Sequence, residues 1–316
     1  MSTLLDEPAS QTEETTSASN LLRRTMAAMR LSFTWFGTRK TLSPEQKARA
    51  AESFGAEGEY LSAGKKLLNV AHPKFRAVTS IKTRATSYFK GISLPFPEPG
   101  LRLIRQADIA AVNTQMASFK TELEDAVEEL DQNYDELKAA ARQRLGNLYN
   151  ESDYPVTLNG LFDVSWDFPS VEPPHYLQQL SPELYRQECE RMQARFNEAV
   201  QMAEQAFTEE LTRLVANLSE RLTGERDGKP KVFRDTSITN LADFFQRFRR
   251  LNIRSNEQLD ELVSQAQDIV RGIQPQQLRE NLGLREQVGE QLGRVQNALD
   301  DLLVDRPRRN IIRKPR

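Results

Sequence analysis

Residues 109–148 read IAAVNTQMASFKTELEDAVEELDQNYDELKAAARQRLGNL, and this stretch decides the expected fold. Its apolar positions fall at Ile109, Val112, Met116, Phe119, Leu123, Ala126, Leu130, Leu137, Ala141, Leu145 and Leu148, with Tyr134 closing the one gap. Every step is three or four residues, the spacing that keeps side chains on one helical face. Glu and Asp occupy the other faces, as they do around a coiled-coil seam. At about 1.5 Å per residue such a helix extends about 60 Å.

A second long helix is expected to begin at Ser181-Pro182-Glu183, where Ser serves as N-cap and Pro takes the first helical position. Its seam reads Met192, Phe196, Ala199, Ala203, Phe207, Leu211, Leu214, Leu218 and Leu222, closing at Gly224. Two long helices joined by a connector of about thirty residues most simply fold back on each other. The expected class is therefore all-α, with a long antiparallel coiled-coil hairpin over residues 101–225. The connector, 150–180, is aromatic and proline-rich, and its alternating stretch VTLNGLFDVSWDF reads as a small β-element. LSFTWF at 31–36 is a second short strand candidate, and the two pair if the chain brings them together.

Working outward, residues 1–20 carry four acids and no base, the opposite of a secretion signal, and read as a disordered lead. Residues 21–100 form a basic helical region, with a helix start at Ser43-Pro44-Glu45 and further helical patterns at roughly 56–70 and 74–90. Three prolines in SLPFPEPG, 93–100, exclude a helix across that stretch and mark a boundary. Residues 226–305 make a C-terminal segment with helical patterns at 237–252, 256–272 and 276–304. In the last of these Arg285 interrupts the seam and Gly283, Gly289 and Gly293 weaken the helix. A basic tail, 306–316, ends the chain.

Composition narrows the function. Hydrophobic residues make up 38% and charged residues 28% of 316, with a mean hydropathy of −0.62, which suits extended helices burying a stripe. No apolar run reaches the length of about 18 residues that a membrane span needs. One cysteine, Cys189, excludes an internal disulfide and any multi-cysteine zinc site, and the expected compartment is the cytoplasm. The net charge of −2 conceals segregation: Leu21 to Arg105 holds sixteen Lys/Arg against five Glu, whereas Gln106 to Asp305 holds 21 bases against 36 acids. The tail adds six bases and no acid. Segregation on this scale points to distinct surfaces for distinct partners.

Catalytic patterns are absent. His72 and His175 stand in no metal-ligand spacing, and no nucleophile elbow or dinucleotide fingerprint occurs. The stretch Gly58 to Lys66 resembles a phosphate loop but has five residues between its glycines and Lys66 where magnesium needs Ser or Thr. Asp163, Asp167, Glu172 and His175 are read as solvated loop polars rather than metal ligands, and Cys189 as a small packed side chain. No enzyme, metal or cofactor is expected.

Binding is the remaining chemistry. Arg39, Lys40, Lys65, Lys66, Lys74, Arg76, Lys82, Arg84 and Lys90 interleave with Phe33, Trp35, Phe36, Phe75, Tyr88 and Phe89. Bases neutralise phosphates and exposed rings stack on nucleobases. The same pattern also describes an aromatic core with a solvated face, or a basic face docking on the acidic helices. In the connector, Tyr154, Phe162, Trp166 and Phe168 form the candidate contact surface.

Trp35-Phe36-Gly37, the Leu61–Leu67 stretch LSAGKKL, the Leu94-Pro95-Phe96 loop and the acidic coiled coil are similar to an uncharacterised bacterial and phage family known only as a domain of unknown function. Genes of that family sit beside MoxR-type AAA+ ATPases and von Willebrand-type proteins on mobile elements. The resemblance implies a partner or adaptor of such a machine and supplies no catalytic residues. The expected function is thus a non-enzymatic interaction or scaffold protein acting through coiled-coil surfaces, with nucleic-acid binding through residues 30–90 as the alternative. The seams leave open pairing within one chain or in a homo-oligomer.

Overall fold

A computed structural model describes residues 9–223, 225–226, 229–230 and 235–304. In chain order α1 (Ala9–Thr25) leads into β1 (Met26–Thr34), β2 (Arg39–Thr41), α2 (Pro44–Glu52) and, after a 3-10 turn at Gly58–Tyr60, β3 (Gly64–Lys66). Then come α3 (Pro73–Gly91), the strands β4 (Ser93–Pro95) and β5 (Leu101–Arg105), α4 (Ile109–Gln132), α5 (Tyr134–Leu145) and β6 (Asp163–Asp167). The remainder is α6 (Tyr176–Leu180), α7 (Pro182–Thr223), the two-residue strands β7 (Glu225–Arg226) and β8 (Lys229–Pro230), α8 (Thr236–Leu251), α9 (Glu257–Val270), α10 (Pro275–Glu280) and α11 (Leu282–Val304).

The all-α expectation is overturned. Helix accounts for 69% of the described residues, yet four strands form an antiparallel sheet of order β4-β5-β1-β6, and β2 pairs with β3 in a separate ribbon. The fold is α+β. Two signals were short: the proline-rich stretch 93–100 that excludes a helix supplies β4 and the turn into β5, and their hairpin sets Ser93 opposite Ile104 and Leu94 opposite Leu103. LSFTWF and the connector do pair, with Leu31 opposite Trp166 and Phe33 opposite Val164.

The chain divides into two units. One comprises Met1–Ala28, Ile92–Gln106 and Ser170–Arg316, and the other Met29–Gly91 and Ala107–Pro169. The expected hairpin does not form, because its two arms belong to different units and each arm has another partner.

In the first unit α7 is the spine. Met192, Phe196, Ala199, Ala203, Phe207, Leu211, Leu218 and Leu222 are buried as the seam requires, while Val215 takes the deep position beside a partly buried Leu214. A shift of one residue is the drift expected when a 3.6-residue helix meets a 3.5-residue repeat. The stripe is covered by α11 through Val288, Leu292, Val295, Leu299 and Leu302, and by α1 through Ala18 and Leu22. The second half of the acidic lead is thus helical from Ala9 on. α8 adds Phe244 and Phe248, whose rings stand edge-on to Phe207 at 6.2 and 5.0 Å. The β4–β5 loop packs Phe96 on Phe196, ring centroids 5.5 Å apart.

In the second unit the seam of α4 faces α3. Val112, Met116, Phe119, Leu123, Val127 and Leu130 meet Phe75, Val78, Ile81, Ala85 and Phe89, all buried. The basic helix supplies complementary charge at the rim: Lys74 pairs with Glu129 at 2.8 Å and Arg84 with Glu122 at 2.7 Å. A heptad seam demands an apolar partner but does not specify which one, and α3 satisfies it after a short β-hairpin connection. Asp131, at the end of α4, then fixes the connector by accepting from the Leu158 N–H at 2.7 Å and the Thr157 hydroxyl at 2.8 Å.

Candidate interaction surface

In the second unit the β2–β3 ribbon, with α2 and the 3-10 turn between its strands, exposes most of its side chains. Local chemistry builds it. Ser43 Oγ accepts from the Gln46 N–H at 3.2 Å while Gln46 Oε1 accepts from the Ser43 N–H at 3.1 Å, and Pro44 occupies the first turn. α2 ends at Glu52, and Gly55, with a φ of +63°, takes the chain through the left-handed region and lets the Ala56 N–H return to the Ala51 carbonyl at 3.1 Å. Gly58 then lies so close to α2 that a β-carbon would stand 2.9 Å from the Ala48 backbone.

The turn so formed, residues 53–61, exposes two large rings. Phe54 is 82% and Tyr60 87% exposed, the extremes among the described aromatic residues. Exposed carboxylates flank them at Glu52, Glu57 and Glu59. Sequence reasoning missed both rings because neither has a helical or alternating periodicity. The available signal is the run Phe54-Gly55-Ala56-Glu57-Gly58-Glu59-Tyr60, which places aromatics in a turn that has too few neighbours to bury them.

A buried charge cluster braces the base of the ribbon. Asp153, almost fully buried, receives Lys40 Nζ on Oδ1 and Lys65 Nζ on Oδ2, each at 2.5 Å. Lys65 is itself 7% exposed and also donates to the Leu148 carbonyl at 2.6 Å. Burial pushes the Asp153 carboxyl up, but the hydrogen bonds and charges of Lys40 and Lys65 outweigh it and hold the group below the ordinary carboxylate range. Next to it the Tyr154 hydroxyl donates to the Leu67 carbonyl at 3.0 Å, stacked on Tyr149 at 5.0 Å, and burial raises its phenol to about 12.

The expected binding bases therefore separate. Lys40, Lys65, Lys74 and Arg84 are held in ion pairs. Lys82 lies half-buried over the rings of Trp35 and Phe33, 4.3 and 5.0 Å from their centroids. Arg39 and Lys66 are exposed and directly opposite each other across the ribbon, and Arg76 and Lys90 are exposed on α3. The connector set separates too. Tyr154 and Phe162 are buried, and Phe162 collects Trp35, Phe36 and Phe75 in edge-on contacts at 4.9, 6.5 and 6.2 Å. Trp166 is half-buried with its Nε1 donating to Asn113 Oδ1 at 2.9 Å, and Phe168 remains 40% exposed.

Among the described residues no group of three or more His, Cys, Asp and Glu is placed to hold a metal ion, and no helix is long and apolar enough to cross a membrane. Asp163 is tied to Lys120 at 3.1 Å and Glu172 to Arg23 at 2.7 Å. Gly58 to Lys66 forms a 3-10 turn and a strand, not the strand–loop–helix that cradles phosphate. The basic tail, 306–316, lies outside the described residues. No protein-family model, curated protein or solved structure matches the chain.

Proposed function

We propose that the chain is a non-enzymatic interaction protein of the cytoplasm, a scaffold or adaptor that docks on other proteins through the 53–61 turn. The exposure of Phe54 and Tyr60 on a braced element carries this reading. Rings of this size held in water on a rigid turn are the kind of anchor that protein interfaces are built around. Their acidic flank favours a protein partner over nucleic acid, since phosphates approaching Glu52, Glu57 and Glu59 meet like charge. The family resemblance suggests a MoxR-type AAA+ ATPase as that partner.

One observation supports nucleic acid at a different place: Arg39 and Lys66 face each other across the ribbon without an ion pair among the described residues. Like charges directly opposite are destabilising, and an anion between them would relieve this. A single experiment addresses both readings. The purified chain is run in gel filtration with a MoxR-type AAA+ ATPase, and separately titrated with labelled single-stranded DNA over about 50–300 mM salt. Co-elution lost in the Phe54→Ser, Tyr60→Ser variant supports the protein reading, and co-elution unchanged in that variant overturns it. Salt-sensitive DNA binding lost in Arg39→Glu, Lys66→Glu, and kept in the first variant, replaces it with the nucleic-acid reading.

A further inference from the structure

The 53–61 turn constrains the chemistry of whatever covers it. Two rings, 82% and 87% exposed, are bordered along the chain by exposed Glu52, Glu57 and Glu59. Covering the rings strips water from the carboxylates as well, so a purely apolar partner leaves three charges poorly solvated and uncompensated. The matching surface must bring aliphatic contact and several cations together over a few residues. Arginine suits it especially, because the guanidinium pairs with carboxylates in a fork and also stacks on ring faces.

The chain itself contains such a segment. Arg306–Arg316, RPRRNIIRKPR, has six bases and no acid, with Ile311 and Ile312 between its two basic halves. Among the described residues, two stretches that mix bases and aliphatics bury the aliphatics. Leu22, Met26 and Met29 of the 21–31 stretch are buried, and the apolar residues of α3 face α4.

We propose that the 53–61 turn of one copy takes the Arg306–Arg316 segment of a second copy, the isoleucines packing on Phe54 and Tyr60 and the bases meeting Glu52, Glu57 and Glu59. This rests on the reading of the turn as a docking surface and names its occupant. Each copy then offers one turn and one tail, a heterologous contact that builds rings or chains of copies and not an isologous dimer. The contact is small and charge-assisted, so assembly depends on protein concentration and weakens as salt rises.

Sedimentation velocity of the full chain over a wide concentration range, at about 50 and about 500 mM salt, tests the second-copy contact. A parallel titration adds a labelled RPRRNIIRKPR peptide to the full chain. The expected result is association at low salt that disappears at high salt, with both association and peptide affinity at least about tenfold weaker in Phe54→Ser, Tyr60→Ser. A full-chain variant with Arg308→Glu, Arg309→Glu and Arg313→Glu also stays monomeric. Peptide binding that the Phe54→Ser, Tyr60→Ser change leaves intact overturns the proposal, as does no peptide binding at all. A chain that binds the peptide at the turn yet is monomeric at every concentration overturns the second copy as the source. None of these outcomes touches co-elution with an ATPase, so the docking reading and its occupant fail separately.

Discussion

Replacing Asp153 with Asn would leave Lys65 with a buried ammonium and only the Leu148 carbonyl to receive it. Breaking a buried pair from one side costs about 3–5 kcal/mol, and Asp153→Asn is expected to lose stability of that order in denaturant melts at neutral pH. The pH dependence has a definite sign. Because the folded carboxyl titrates below its unfolded value, its contribution is present above the unfolded carboxylate range and is lost as pH falls through the lower folded value. Wild type and variant should therefore converge in stability under acid, below about pH 4. A gap that stays constant as pH is taken beneath the unfolded carboxylate range and through the lower folded value would refute the assignment. None of this is legible in the sequence, where Lys40 and Asp153 lie 113 residues apart and Lys65 reads as one more solvated base. Phe54 and Tyr60 were missed for the opposite reason: a hydrophobic ring in a sequence carries the expectation of burial, and only the glycine- and glutamate-rich run between them argues against it.

At the scale of elements, the apolar seams were read residue by residue and their partners were not. Periodicity reports which face of a helix is covered, whereas the identity of the cover depends on loop lengths and rim charges elsewhere in the chain. Arg285 shows the limit most clearly. It interrupts an apolar seam in sequence, yet it is 6% exposed and donates from Nε to the Leu222 carbonyl at 2.7 Å and from Nη2 to the Arg221 carbonyl at 2.5 Å. It thus satisfies carbonyls at the C-terminal end of α7, where a positive charge is also favoured by the helix dipole. Gly289, read as a weak point, is where α11 comes so close to α7 that a β-carbon would stand 2.6 Å from Thr223 Cγ2. Restoring the heptad with Arg285→Leu should accordingly destabilise the protein by about 2–3 kcal/mol, measured by chemical denaturation. A variant as stable as the parent would show that the seam, and not the cap, matters there.

Over the whole molecule, the chain passes between its two units at Ala28–Met29, Gly91–Ile92, Gln106–Ala107 and Pro169–Ser170. Sequence analysis divides a chain into consecutive blocks, so the block 101–225 joined α4 to α7 although they serve different cores. Expressed alone, that fragment lacks both α3 and α11, the covers of its two seams. It is expected to lack a cooperative thermal transition in circular dichroism, whereas the full chain melts cooperatively. A sharp transition in the fragment would restore the hairpin. Strands were underread for a related reason, since β2, β3, β4 and β5 are three to five residues long and give no period to count.

The covering of α7 by α11 has a consequence for the chain while it is being made. A ribosome releases residues in order, and the last strand of the second unit, ending at Asp167, emerges before α7 begins. That unit is complete in sequence while the other still waits. The longest apolar stripe among the described residues then leaves the exit tunnel with α1 and the β4–β5 loop already made, gains α8 next, and is not fully covered until Leu302 has been added. Translation of the last helices is the interval in which a holdase chaperone, or the same stripe on a neighbouring nascent chain, finds an open site.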